Sequence, residues 1–190
     1  MTSRDLVRGA TIPNLITLAR LFSAPVAVWL VIVDEYMAAF WLFLAAGLSD
    51  AIDGLLARLL QARSLLGAYL DPIADKTLLM GVFFALGYNG KLSDWIVMLV
   101  VSRDIFILGG AILVQTLKPG SGALSPSLLS KLNTVLQIGL AGLALGFAAF
   151  AITATWVVDV LAWVVAATTI LSGLGYLREA GRRFGAEQRP

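Results

Sequence analysis

Apolar residues run along this chain in six long blocks, at roughly 13–33, 36–60, 70–90, 93–117, 127–152 and 154–177. Short polar breaks such as Asp34–Glu35 and Lys91 with Asp94 separate them. Each block has about the 20 residues that an α-helix needs to cross a bilayer. Lipid offers no partners to an open sheet edge, so the pattern predicts an all-α integral membrane protein with six transmembrane helices. The blocks use nearly the whole chain, and residues 1–190 are expected to form one membrane domain. A short interfacial helix is predicted over 1–12 and a basic cytoplasmic tail over 178–190.

Composition agrees with that pattern. Hydrophobic residues make up 59% of the chain and the mean hydropathy is +0.87, well outside the soluble range. Arg4 and Arg8 before the first block superficially resemble a signal peptide. Arg20 interrupts the run, which then continues too far, so a retained first span is expected. Lysine and arginine fall mostly on one side of the serpentine path: Arg4, Arg8, Arg58, Arg63, Lys118 and the run from Arg178 to Arg189. By the positive-inside rule both termini are cytoplasmic. The basic tail suits anionic lipid head groups.

The chemistry is bounded by what is missing. The chain has no cysteine and no histidine. A general base must therefore be a carboxylate, a lysine or a tyrosine, and a metal must be held through oxygen, which favours Mg²⁺, Mn²⁺ or Ca²⁺.

Against this apolar background the ionisable residues inside the blocks stand out: Arg20, Asp50, Asp53, Asp75, Arg103, Asp104 and Lys131, with Asp71 and Lys76 beside them. Intramembrane carboxylates cost a few kcal/mol or more each and usually mark function. At about 1.5 Å per residue the aspartates lie roughly 10–15 Å below the cytoplasmic surface, within reach of one cavity. Asp50 and Asp53 share one helix face, as do Asp71 and Asp75. Four like charges in one pocket repel unless cations neutralise them, and one or two divalent ions would do so. Gly54, Ala57 and Gly67 either allow close helix packing or leave room for a flat ligand. Arg58 serves either a phosphate or the topology.

Other readings stay open at this point. Asp71–Pro72 fits a helix N-cap followed by a first-turn proline. Asp50 and Asp53 could pair with Arg20 or Arg103, Arg103–Asp104 could be a local structural pair, and Lys131 could snorkel to the interface.

The spacing Asp50-x-x-Asp53-Gly54-x-x-Ala57-Arg58, eight residues, then Gly67-x-x-x-Asp71-x-x-x-Asp75 resembles the signature of the CDP-alcohol phosphatidyltransferases at every defined position. The resemblance implies a CDP-linked lipid held by its diphosphate across a site with two Mg²⁺ or Mn²⁺ ions. By position, Asp50, Asp53, Asp71 and Asp75 would be metal ligands, and Asp75 the base on the acceptor hydroxyl. Asp50, Asp53, Gly54, Ala57, Arg58 and Gly67 would bind the cytidine diphosphate.

The segments IPNLITLAR (12–20), LDPIADKTLL (70–79), SRDIFILGG (102–110) and SKLNTVLQ (130–137) are similar to the mitochondrial and bacterial cardiolipin synthases that use CDP-diacylglycerol. That likeness implies phosphatidylglycerol as acceptor, a homodimer and a multi-pass place in a bacterial inner membrane, with the site facing the cytoplasm. It implies no nucleic-acid partner. Relatives that use glycerol 3-phosphate read Arg-Glu in the fourth span and carry another arginine two turns later, where this chain has Asp104 and Ala111. A dianionic phosphomonoester needs several cations, whereas a phosphodiester carries a single charge. Arg103, Lys131, Lys76, Arg20 and Asn14 are the expected acceptor-binding residues. Thr134 and Gln137 either line the acceptor side or bond between helices.

The rival acceptor is glycerol 3-phosphate. The rival class is an ion-coupled transporter, which would distribute its acids through the bilayer and show internal repeats. Here the acids cluster at one depth, and no repeat relates 1–95 to 96–190. The phospholipase-D class of cardiolipin synthase depends on histidine and is excluded.

Overall fold

Each apolar block corresponds to one helix in the computed structural model. It describes the backbone over residues 3–60, 65–117 and 127–185, and side chains over 18–49, 74, 76–110, 116 and 127–178. The helices are α1 (Ser3–Ile32), α2 (Tyr36–Leu60), α3 (Leu65–Tyr88), α4 (Asp94–Leu117), α5 (Leu128–Ala149) and α6 (Trp156–Gly185), with no strand among the described residues. The all-α class follows directly.

On their described residues, Leu128–Ala149 and Trp156–Arg178 are long and apolar enough to cross a membrane. Leu18–Ile32, Tyr36–Ser49 and Lys76–Tyr88 are shorter apolar stretches. Large apolar side chains such as Phe22, Trp41, Phe106 and Trp163 nevertheless stand exposed along the helices. Exposed apolar surface on this scale is unfavourable in water and suits lipid.

From Ser3 onward the expected interfacial segment and the first span lie on one continuous helix, α1. Pro13 and Pro25 are interior to it; each lacks an N–H, and the carbonyl four residues earlier loses its helical partner.

The chain divides into two compact units. The first holds α1, α2, α3 and 141–153. In it α1 packs against both α2 and α3. Ala24, Ala27 and Val31 are buried on α1, with Leu78, Val82, Phe83 and Leu86 on α3. Closeness is enforced by Gly81, where a Cβ would sit 2.7 Å from Val28 Cγ2. At Gly146 a Cβ would meet the Phe40 ring at 3.2 Å, and that ring lies edge-on to Phe150.

The second unit holds 93–140 and 154–190, with α4 packed on α6. Val158, Ala162, Val165, Ala166, Thr169 and Ser172 are buried along α6 at helical spacing, and Ile96, Val97, Val100 and Arg103 along α4. Trp95 and Trp163 stack at 4.7 Å between ring centroids.

Three helix ends share one device. After α1 the N–H of Asp34 bonds to Val31 O and that of Glu35 to Leu30 O; after α3, Gly90 bonds to Gly87 and Lys91 to Leu86; after α5, Ala151 bonds to Ala148 and Ile152 to Phe147. These are Schellman caps, each needing a left-handed residue, and φ is 62° at Asp34, 65° at Gly90 and 51° at Ala151.

Candidate active site

The signature residues fall on two consecutive helices. Asp50, Asp53, Gly54, Ala57 and Arg58 lie in the last part of α2, and Gly67, Asp71, Asp75 and Lys76 in the first half of α3. Because the backbone is helical through both stretches, the three- and four-residue spacings place each aspartate pair on one helix face. Side chains of the four aspartates, Gly54, Ala57, Arg58, Gly67 and Asn14 lie outside the described residues.

The helical backbone bears on one of the readings left open by the sequence. α3 begins at Leu65, so Asp71 and Pro72 lie inside the helix and do not cap it. Pro72 brings no N–H, and the Ala68 carbonyl, on the same face as Asp71, loses its usual helical donor. The apolar run from Leu65 prevails over the local capping signal.

The donor set fits a hard divalent cation: four carboxylates in two same-face pairs, in a chain with no histidine and no cysteine. The described side chains gather no group of three or more acidic residues.

The second unit presents a buried polar cluster that charge alone did not predict. Arg103 is 7% exposed and Asp104 3%. Arg103 Nη1 lies 2.7 Å from Asp104 Oδ1, Nη2 donates to Ser130 Oγ at 2.6 Å, and Nε donates to Ser172 Oγ at 3.1 Å. One guanidinium thus ties α4 to α5 and α6. Its charge is met by Asp104, the local pair that the sequence left open, and two of its five N–H groups remain. Ser130 is set in place by α5's own start, where Ser127 Oγ accepts the Ser130 N–H at 3.1 Å as an N-cap does.

Below that level Asn133 Oδ1 accepts from the hydroxyls of Thr168 and Thr169 at 2.8 and 2.9 Å. Thr134 back-bonds to Ser130 O at 3.2 Å, so its hydroxyl proton is used within α5. Gln137 is fully buried, and neither amide atom has a hydrogen-bond partner.

The expected acceptor cations are not alike. Arg20 is buried in the first unit, Lys76 is half-buried on α3, and Lys131 is exposed on the first turn of α5. Lys131 is where a snorkelling side chain would sit; its neighbour Ser130 meets Arg103. Ser130, Asn133, Thr169 and Ser172 carry no charge and do not stand out from the apolar sequence as the ionisable residues do. Their signal was the recurrence of small polar residues at helical spacing within apolar helices.

Residues 10–171 match the CDP-alcohol phosphatidyltransferase family. The chain belongs to that membrane-bound family. It is similar to the rice chloroplastic CDP-diacylglycerol–glycerol-3-phosphate 3-phosphatidyltransferase 1, at 36% identity over 89% of this chain and 56% of the rice protein. It is 30% identical to human cardiolipin synthase (CMP-forming), over 87% of this chain and 60% of the human protein. It is 31% identical to the CDP-diacylglycerol–glycerol-3-phosphate 3-phosphatidyltransferase of Cereibacter sphaeroides, over 90% of this chain and 95% of that protein. The chain thus spans little more than half the length of the rice and human relatives. One group of relatives is named for glycerol 3-phosphate, the other for cardiolipin.

Proposed function

We propose that this protein transfers a phosphatidyl group from CDP-diacylglycerol to phosphatidylglycerol, forming cardiolipin and releasing CMP. The observation that carries the reaction class is the complete aspartate signature on α2 and α3, within a family match over 10–171.

Asp50, Asp53, Asp71 and Asp75 would hold one or two Mg²⁺ or Mn²⁺ ions, which supply charge neutralisation at the diphosphate when bound. Gly54, Ala57 and Gly67 leave space for the cytidine diphosphate, and Arg58 pairs with a phosphate. Asp75 takes the proton from the acceptor hydroxyl. That oxygen forms a bond to the lipid-side phosphorus, and the bond from this phosphorus to the bridging oxygen breaks. CMP leaves with the bridging oxygen and the electron pair. The site faces the cytoplasm, with both termini on that side, and the active form is a homodimer.

The neutralised Arg103 supports phosphatidylglycerol as acceptor. A guanidinium already balanced by a buried carboxylate suits a singly charged diester better than a dianion. The relatives named for glycerol 3-phosphate favour the second reading, with that acceptor at the same site.

Purified protein given CDP-diacylglycerol, Mg²⁺ or Mn²⁺ and each acceptor separately decides between them. Lipid product from phosphatidylglycerol is expected; product from glycerol 3-phosphate alone overturns the acceptor assignment. Asp75→Asn should lower CMP release by about 10²–10⁴-fold, the usual worth of a general base. Full activity in that variant refutes the mechanism.

A further inference from the structure

Arg20 is a buried cation in an apolar helix: it is 5% exposed, on the same stripe of α1 as the buried Ala24, Ala27 and Val31. A guanidinium stays charged in proteins, and one inside a membrane helix pairs with an acid or with backbone carbonyls. Contacts within the first unit, where α1 packs on both α2 and α3, fix its level against those helices. The ends of α1 and α3 meet where Asn89 Nδ2 donates to Val31 O at 2.7 Å, and earlier along both helices Val28 lies against Gly81. The two helices therefore run parallel, with Val28 level with Gly81. Eight residues before Val28 is Arg20; eight before Gly81 is Ile73, which stands between Asp71 and Asp75. Ala74 and Leu78, on the stripe of α3 that carries Gly81, are buried, so the packed faces continue to that level. On α2, which returns from the turn at 33–35, Asp50 is fourteen residues past the helix start and Arg20 twelve before the end of α1. The two differ in level by about 3 Å.

We infer that Arg20 is the resident counter-charge of the aspartate cluster, a positioning residue that stabilises the α2 and α3 carboxylates without metal and weakens their hold on a divalent ion. The inference rests on the transferase reading and assigns Arg20 to the metal site rather than to the acceptor. Asp5, Asp34 and Glu35, the other acids of the unit, lie more than about 20 Å away along the direction of α1. Among the described cations of the unit Lys76 is half-buried and Lys91 exposed, so Arg20 is the one that solvent screens least. A long helical side chain covers the turn N-terminal to its own Cα, so Arg20 reaches toward the level of Asp71. Four carboxylates and one guanidinium sum to a charge of −3 rather than −4. That excess still draws a divalent ion, but the bound ion and the guanidinium repel each other. At about 6 Å, even water-like screening makes the repulsion worth about tenfold in affinity.

Mn²⁺ affinity is read directly on the full-length protein in detergent micelles, by the loss of the free-ion paramagnetic resonance signal. The unfolding midpoint is followed in EDTA and in Mn²⁺, and CMP release from CDP-diacylglycerol is measured in parallel. Arg20→Met should bind Mn²⁺ about tenfold more tightly than the parent. Its midpoint should fall in EDTA and recover in Mn²⁺, because the ion then supplies the missing positive charge. Arg20→Lys keeps the charge and should stay close to the parent in both measurements. Adding Asp71→Asn to Arg20→Met returns the cluster to three negative charges and should restore the midpoint in EDTA.

Equal or weaker Mn²⁺ binding by Arg20→Met overturns the inference; joined to a raised acceptor KM, it would place Arg20 at the acceptor instead. An Arg20→Met protein that fails to fold in Mn²⁺ and is not rescued by Asp71→Asn also overturns it, because the guanidinium then serves packing alone. A parent that binds Mn²⁺ but releases no CMP refutes the transferase reading and leaves the comparison of affinities standing. A parent that binds no Mn²⁺ overturns both.

Discussion

Two carboxamides mark opposite ends of a scale of satisfaction. In the first unit Asn89, beside the turn that closes α3, lies within hydrogen-bond distance of three acceptors: Val31 O at 2.7 Å, Tyr36 Oη at 2.9 Å and Asp34 Oδ1 at 3.0 Å. Tyr36 donates in turn to Asp34 at 2.6 Å, and the Lys91 ammonium lies 5.1 Å from the centroid of the Tyr36 ring. In the second unit Gln137 meets no partner at all. The two groups have the same donors and acceptor, so the difference lies in their surroundings. The Asn89 amino group has its donors engaged and acts as a staple; the Gln137 amide has neither donor nor acceptor engaged. Within one chain, two amides of the same chemistry differ in how far their surroundings satisfy them.

The largest effect that tests this comparison comes from Arg103, the saturated member of the second unit. Arg103→Met deletes the guanidinium of a buried ion pair, and breaking a buried pair in this way costs about 3–5 kcal/mol. The unfolding midpoint in detergent should fall sharply. Adding Asp104→Asn removes the other charge of the pair and should restore part of the loss. A double variant no more stable than Arg103→Met alone would show that Arg103 acts through Ser130 and Ser172 rather than through its charge.

A smaller loss is expected at the staple. Asn89→Leu leaves the Val31 carbonyl and the Asp34 carboxylate short of a donor at a partly exposed turn, for a cost of about 1–2 kcal/mol. Acceptor and CDP-diacylglycerol KM values should not move. A changed acceptor KM would contradict the assignment of Asn89 as a staple.

The same contrast explains what the sequence disclosed. The six helices were legible because each apolar block has the length of a span, and the aspartate signature because carboxylates are conspicuous in lipid. Lys131 is conspicuous by its charge and stands exposed, while the uncharged Ser130 beside it meets the buried guanidinium. Asn133 carries no charge and stands between Leu132 and Thr134, so only the three-dimensional meeting with Thr168 and Thr169 reveals it. At Asp71–Pro72 a sound local rule predicted a helix start, and the longer apolar run from Leu65 overrode it. Whether a polar group is satisfied is a tertiary fact, invisible in any one segment.

The smallest effect sharpens the comparison at the caps, where Asp34 and Ala151 adopt the left-handed conformation that Gly90 adopts after α3. A non-glycine residue there costs about 1 kcal/mol or more, and glycine removes that cost at some expense in chain entropy. Ala151 has no polar side-chain atoms, so Ala151→Gly should stabilise the protein by about 0.5–1 kcal/mol, read as a raised unfolding midpoint. Asp34→Gly relieves the same strain but deletes the carboxylate that receives Tyr36 and Asn89, and it should give no gain or a loss. If both glycine variants stabilise equally, the Asp34–Tyr36–Asn89 bonds contribute nothing, and Asn89 is no more a staple than Gln137 is. Opposite outcomes from two substitutions that relieve the same backbone strain would isolate the worth of a satisfied polar network at a helix end.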